Sequence, residues 1–186
     1  MRAYATLTAC TAALAAVLLL PANGHGKTAA SDKADPGATQ FLKEAASGGM
    51  AEVKLGGLAE QRAASDDVKN FGKRMVNDHT KANEDLKRVA AEKNVTLPSD
   101  VDHKDKEVYD RLSKLSGKAF DRAYMDLMVK DHEQDVAEFE KAARSKDPAV
   151  QAFAERTLPT LKDHLTDAQQ IAASGGERPG AHPTAH

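Results

Sequence analysis

Four residues of this chain have the types and spacing to act together: His79, His132, His164 and Glu52. His79 falls in Phe71–Leu86, FGKRMVNDHTKANEDL. There Val68, Gly72, Met75, His79, Ala82, Leu86 and Val89 recur in steps of three and four, which is one face of a helix. Lys69, Lys73, Arg74, Asn77, Lys81 and Glu84 fill the other faces. Spacing therefore puts His79 on the buried stripe, although its chemistry is polar. The Asp-His pair of Asp78-His79 returns as Asp131-His132 and Asp163-His164, both within helical patterns. Three imidazoles and the Glu52 carboxylate, one from each of four helices, could satisfy a tetrahedral or five-coordinate transition metal, with imidazole neutral. Asp121 or Tyr124 could then serve as acceptor or donor behind the ligands.

A plainer reading uses the same residues. Buried histidines bond to one another, to a tyrosine or to a carboxylate, and so fix helix register with no ligand at all. Asp78, Asp131 and Asp163 sit about 100° round the helix from their histidines, which suits solvation or a salt bridge to a neighbouring helix. A ferritin-type di-iron centre needs Glu-x-x-His on two helices. The residues three before the histidines are Val76, Val129 and Leu161, so any ion expected here is a single one in a nitrogen-rich site. His182 and His186 could chelate loosely in the tail, and His25 could become an amine-imidazole terminus after leader removal. No phosphate-cradling Gly loop, serine elbow or nucleophile-base pair occurs at motif spacing. No catalytic residue and no reaction is named.

The elements that must position these side chains are helices. Met1–Gly24 reads as a secretory signal peptide, with Arg2, an apolar run to Leu20, Pro21 and small residues before Gly24. Cleavage after Gly26 or Ala30 also fits. Cys10, the only cysteine, comes too early for a lipoprotein site, and after leader removal no membrane span is expected. Net charge is -2 with acids and bases interleaved, and aromatics are only 4%, which excludes a nucleic-acid surface. Residues 25–38 read as a flexible lead. Helix A is expected over Thr39–Ala64, with small residues (Ala45, Gly48, Gly49, Gly56, Gly57) that permit close approach of a neighbour. Ser65-Asp66-Asp67 caps helix B, to Lys93. After the break at Asn94–Asp100, Ser99 or Asp100 caps a short helix to Leu115. Helix C spans Lys118–Arg144, and Asp147-Pro148 starts helix D, to Ala173. Pro159 should kink helix D, either as an opening beside His164 or as a simple bend or break. Residues 174–186 read as a disordered tail.

Tight A/B and C/D joints with a long B-to-C connection suggest an all-α, ferritin-like four-helix bundle over 39–173, with B and C parallel. An up-down-up-down bundle is the alternative. Counted from the shared end, Glu52, His79, His132 and His164 fall within a slab of about 6–8 Å at ~1.5 Å per residue. The Ala45–Ala64 run, Phe71–His79 (FGKRMVNDH), Gly117–Tyr124 (GKAFDRAY), and Leu158-Pro159 followed by His164 resemble the bacterial secreted family known as domain of unknown function 4142. The resemblance spans nearly all of Thr39–Ala173 and implies a ferritin-like fold and an envelope or periplasmic location, with no defined activity. Two functions remain open. One is a metal-binding or redox-protective envelope protein; the other is a non-catalytic, stress-associated bundle with a metal-free polar core. Protein partner and oligomeric state are not legible.

Overall fold

In the computed structural model, which describes residues 35–175, the apolar periodicity resolves into five helices. They are α1 Pro36–Arg62, α2 Asp66–Glu92, α3 His103–Leu112, α4 Gly117–Ala142 and α5 Pro148–Ala173. No strand occurs among the described residues, and none of their helices is long and apolar enough to cross a membrane. The expected signal segment with Cys10, positions 25–34 of the expected lead and positions 176–186 of the expected tail lie outside the described residues.

Helix starts follow their caps. α1 begins at Pro36, ahead of the expected Thr39, because Asp35-Pro36 repeats the Asp147-Pro148 signal. Asp35 accepts from the Ala38 N–H at 2.9 Å, as Asp147 accepts from Ala149 at 3.0 Å. The short α3 is capped by Asp102, which accepts from the Asp105 N–H at 2.8 Å. Ser99 and Asp100 are therefore not its cap; Asp100 instead pairs with Lys54 at 2.7 Å and Lys106 at 2.9 Å. α5 runs unbroken through Pro159, so a broken helix there is excluded.

Two apolar clusters show how the helices run. One holds Leu58 and Ala59 late in α1, Val68 and Phe71 early in α2, Phe120 and Tyr124 early in α4, and Ala168 and Ile171 late in α5. The other holds Ala38 and Leu42 early in α1, Leu86 and Val89 late in α2, Phe139 late in α4, and Val150 and Phe153 early in α5. α2 and α4 are therefore parallel, and each is antiparallel to α1 and α5. Packing runs α1 on α2, α2 on α5, α5 on α4 and α4 on α1, which puts α2 and α4 on a diagonal. An up-down-up-down bundle would make them antiparallel neighbours, so the ferritin-like connectivity holds. α3, in the crossover, packs on α1 and α4 and adds Val108 and Leu112 to the first cluster.

Polar staples tie the ends. Both carboxylate oxygens of Asp121 on α4 accept from the α1/α2 joint, from Ala64 N–H at 2.9 Å and Ser65 N–H at 3.0 Å. At the other end Lys93 meets Asp147 at 2.8 Å. Along the α1/α2 seam the backbones come close: a Cβ on Gly56 would lie 2.6 Å from the Gly72 carbonyl oxygen, and one on Gly72 2.7 Å from the Ala59 Cβ. A Cβ on Gly57 meets nothing within 4 Å. Gly57→Ala should therefore stabilise by about 0.5–1 kcal/mol through helix propensity. Gly56→Ala gains the same propensity yet should lose about 1–3 kcal/mol to overpacking. Urea unfolding of the pair reads the difference, and two variants of equal stability would contradict this packing.

Candidate metal centre

Each long helix interrupts its apolar stripe with a buried polar residue at one shared level. Glu52 in α1 precedes Leu55 of the first cluster and follows Ala46 of the second. His79 lies between Met75 and Leu86, His132 between Met128 and Phe139, and His164 between Leu161 and Ala168. A polar layer therefore divides the two clusters. Glu52 is 4% exposed, His79 5%, and His132 and His164 0%, so nearly every polar atom here must find its partner inside the protein.

The partners assign the ring tautomers. His132 Nδ1 stands 2.9 Å from the Met128 carbonyl oxygen and 3.4 Å from Glu52 Oε1. Both neighbours are acceptors, so Nδ1 carries the hydrogen. His164 Nε2 lies 2.9 Å from Asp78 Oδ2 and donates to it. That leaves His132 Nε2 and His164 Nδ1, which face one another at 3.3 Å. With both rings neutral, these are two lone pairs pointed at each other, and only a proton or a cation between them makes the contact favourable. His79 completes the group: one ring nitrogen from each histidine lies within 4.8 Å of the others. The ring centroids are 5.3–5.8 Å apart, and Phe71 stands edge-on to His132 and His164, each at 6.4 Å.

Glu52, expected as a fourth ligand, comes to the rings from outside this nitrogen group. Its Oε2 is 2.6 Å from His79 Nε2, and its Oε1 is turned to the Nδ1 side of His132. The His79 contact lies off the hydrogen-bond axis, so His79 Nε2 and both Glu52 oxygens remain without a hydrogen bond. Burial alone would raise the Glu52 pKa, but the histidines beside it, His79 foremost, hold it down at about 2. For His79, burial pulls the pKa down and the Glu52 carboxylate pulls harder the other way, leaving it raised. Burial pushes His164 down to about 4 against its bond to Asp78, while Asp78, against burial, is lowered by the His164 bond and by Arg74. Both members of that pair move down, which one protonation pattern satisfies: a neutral ring donating to an ionised carboxylate.

The other residues named from sequence fall as follows. Asp121 is buried but committed to the α1/α2 joint. It stands eleven residues before His132, about 16 Å along the helix at 1.5 Å per residue, so it is not the acceptor behind a ligand. Tyr124 is fully buried, stacked on Phe120 at 5.5 Å, and its hydroxyl has no hydrogen-bond partner. Asp163 is exposed and Asp131 half-buried. Asp78 makes the salt bridge to a neighbouring helix that its position suits: rotated 100° from His79, it faces α5 and orients His164. Its signal is the mate Arg74, which pairs with Asp78 at 3.3 Å and, more closely, with Asp167 of α5. His103 is exposed on α3, and His25, His182 and His186 lie outside the described residues.

Over residues 23–171 the chain matches the family described as Domain of unknown function (DUF4142). No curated protein matches it at a significant level. Two solved structures share the fold. A DUF305 fragment from Deinococcus radiodurans superposes with a TM-score of 0.68 at 13% identity, covering 76% of this chain and 99% of its own. A DUF305 protein from Streptomyces coelicolor, assigned as secreted, gives 0.64 at 15% identity, covering 82% and 100%.

The lowered His164 sets a pH dependence for the metal-free protein. Between about pH 6.5 and 4 the unfolded chain binds a proton at this ring that the folded chain refuses, so stability must fall as pH falls through that window. A shift from 6.5 to about 4 corresponds to roughly 3 kcal/mol at most. His164→Gln keeps an N–H for Asp78 but cannot titrate. Urea unfolding from pH 7 to 4 should show wild type losing up to about 3 kcal/mol more than this variant; parallel profiles would contradict the assignment of a neutral His164.

Proposed function

We propose that this chain, which belongs to the DUF4142 family, is a secreted or periplasmic ferritin-like bundle that binds one transition-metal ion through His79, His132 and His164. The observation that carries the reading is the pair of bare nitrogens, His132 Nε2 and His164 Nδ1, 3.3 Å apart. A tetrahedral ion with metal–nitrogen bonds of about 2.0–2.1 Å has ligands about 3.3–3.4 Å apart. Behind these nitrogens each ring already donates outward, His132 to the Met128 carbonyl and His164 to Asp78, which is how metal-binding imidazoles are oriented. His79 supplies the third nitrogen. Glu52 offsets the ion's charge and braces His79 and His132 rather than serving as a fourth ligand, which leaves a coordination position for water.

An imidazole-rich set of this kind suits zinc, copper, iron or nickel, and the absence of Glu-x-x-His separates it from di-iron chemistry. Secretion is supported by the leader-like residues 1–24 and by the secreted assignment of the Streptomyces relative. The domain is taken as 39–173 extended back to the Asp35 cap. A metal-free polar core is the second reading, favoured by the buried Glu52–His79 contact at 2.6 Å, which ties α1 to α2 with no ion.

Metal content of the mature protein, purified without a His tag or chelating column, separates the two. About one equivalent of metal after reconstitution is expected, with a raised Tm. His79→Ala, His132→Ala and His164→Ala should each abolish both. The stabilisation should fade below about pH 6, as the ligands protonate. His103→Ala should behave as wild type. No bound metal, with each core alanine costing about 1–3 kcal/mol, would establish the metal-free core instead.

A further inference from the structure

Next to the polar layer, on the side of the second apolar cluster, is a cavity of ≈ 30 Å³, room for about two water molecules. All four long helices line it. Buried His79 forms part of its wall with Leu86, Phe153 and Leu161, while exposed Glu44 and Glu138 and half-buried Asp135 form another part. The lining thus passes from solvent, at the α1/α4 seam, to one imidazole of the nitrogen group. His79, the buried polar residue of this lining, keeps a ring nitrogen, Nε2, without a hydrogen bond.

The carboxylates at the seam are crowded without enough cations among them. Burial pushes Asp135 well above its usual range, and the charges of Glu52, Glu138, Asp131 and Asp105 push the same way. Glu138 is likewise raised by burial and by Glu44, with only Lys141 opposing. A cation relieves both effects at once, by pairing the carboxylates and by replacing lost hydration. Two other approaches to the histidines are less suited to a cation. α3 covers the α1/α4 seam on the side of the first cluster with Val108 and Leu112. Past Asp78, the Arg74 guanidinium already holds Asp78 and Asp167 and repels a cation.

We propose that this acidic cavity is the way in for the metal: a hydrated divalent transition-metal cation is drawn to Glu44, Glu138 and Asp135, sheds water there and passes to His79. The proposal rests on the metal reading above and adds the route and its residues. Carboxylates at the mouth of a low-dielectric passage concentrate cations and raise their rate of arrival. Because they are not ligands of the finally bound ion, their loss must slow uptake and leave the ion's coordination unchanged.

Stopped-flow uptake of Co²⁺, read by its visible absorption, tests this on the mature full-length protein. Asp135→Asn with Glu138→Gln should lower the uptake rate about tenfold at low salt and flatten its ionic-strength dependence. The final Co²⁺ spectrum should match wild type. A second variant works by bulk rather than charge. Gly48 lines the cavity, and a Cβ there meets nothing within 4 Å. Gly48→Leu should therefore obstruct the passage and slow uptake equally at low and high salt, with the spectrum unchanged. Uptake at the wild-type rate in both variants overturns the route while leaving the histidine site standing. An altered Co²⁺ spectrum in the double variant overturns it too, by making the carboxylates ligands. A wild-type protein that takes up no Co²⁺ overturns the metal reading and the route together.

Discussion

The bundle depends on one closed ring of buried polar contacts. Glu52 on α1 meets His79 on α2 and His132 on α4; His132 meets His164 on α5; His164 meets Asp78, back on α2. These links follow the same four seams along which the helices pack, α1/α2, α1/α4, α4/α5 and α2/α5. Leaving a buried donor or acceptor unmet costs about 1–3 kcal/mol. Sliding any helix by one turn, about 5.4 Å, would strand its member of the ring and the partners on both sides. Apolar clusters tolerate such a slip far better, since one leucine substitutes for another at modest cost. Register is therefore set by the polar layer, and the clusters above and below it supply most of the burial.

Connectivity follows from the same layer. Glu52 and His79 come within one helical turn of the same level because the α1/α2 joint is only three residues, Ala63 to Ser65, and their side chains close the remaining offset. His132 can reach that level from the same end only if α4 starts where α2 starts, and the two clusters show that it does. The chain must then cross the length of the bundle between Glu92 and Gly117, and α3 is that crossing. It covers one half of the α1/α4 seam and leaves the other to Glu44, Glu138 and Asp135. The acidic opening thus follows from the topology that brings the histidines together.

Much of this was legible in the residues. Steps of three and four put His79, His132 and His164 on inward stripes, and counting from the joints put them at one depth with Glu52. All four meet, because backbone rise is uniform and the joints are short. What was not legible depends on rotation about the helix axis rather than depth along it. Glu52 shares the level but turns to the outer nitrogen of His132 and to His79. Asp78, 100° from His79, suits a salt bridge to a neighbouring helix, but which residue it meets there, His164, is set by the rotation of α5. Asp121 lies on the inward face, yet eleven residues up the helix its carboxylate serves unpaired N–H groups of the joint. Asp35-Pro36 carries the same start signal as Asp147-Pro148, and α1 begins there rather than at Thr39.

Folding requirements alone do not account for the whole layer. Glu52 with His79 suffices to lock α1 to α2, and Asp78 with Arg74 and Asp167 locks α2 to α5. A buried charged group is no cheap source of stability, since an apolar residue of like volume commonly serves as well or better. For α4 and α5 a leucine pair would pack between the clusters with no polar atom to satisfy. Instead two fully buried imidazoles are held by outward hydrogen bonds so that their remaining nitrogens oppose each other. The outward bonds remove the freedom to turn and pair, which any arrangement serving stability alone would keep. With both rings neutral that contact is unfavourable, and a proton or a cation between the two nitrogens relieves it.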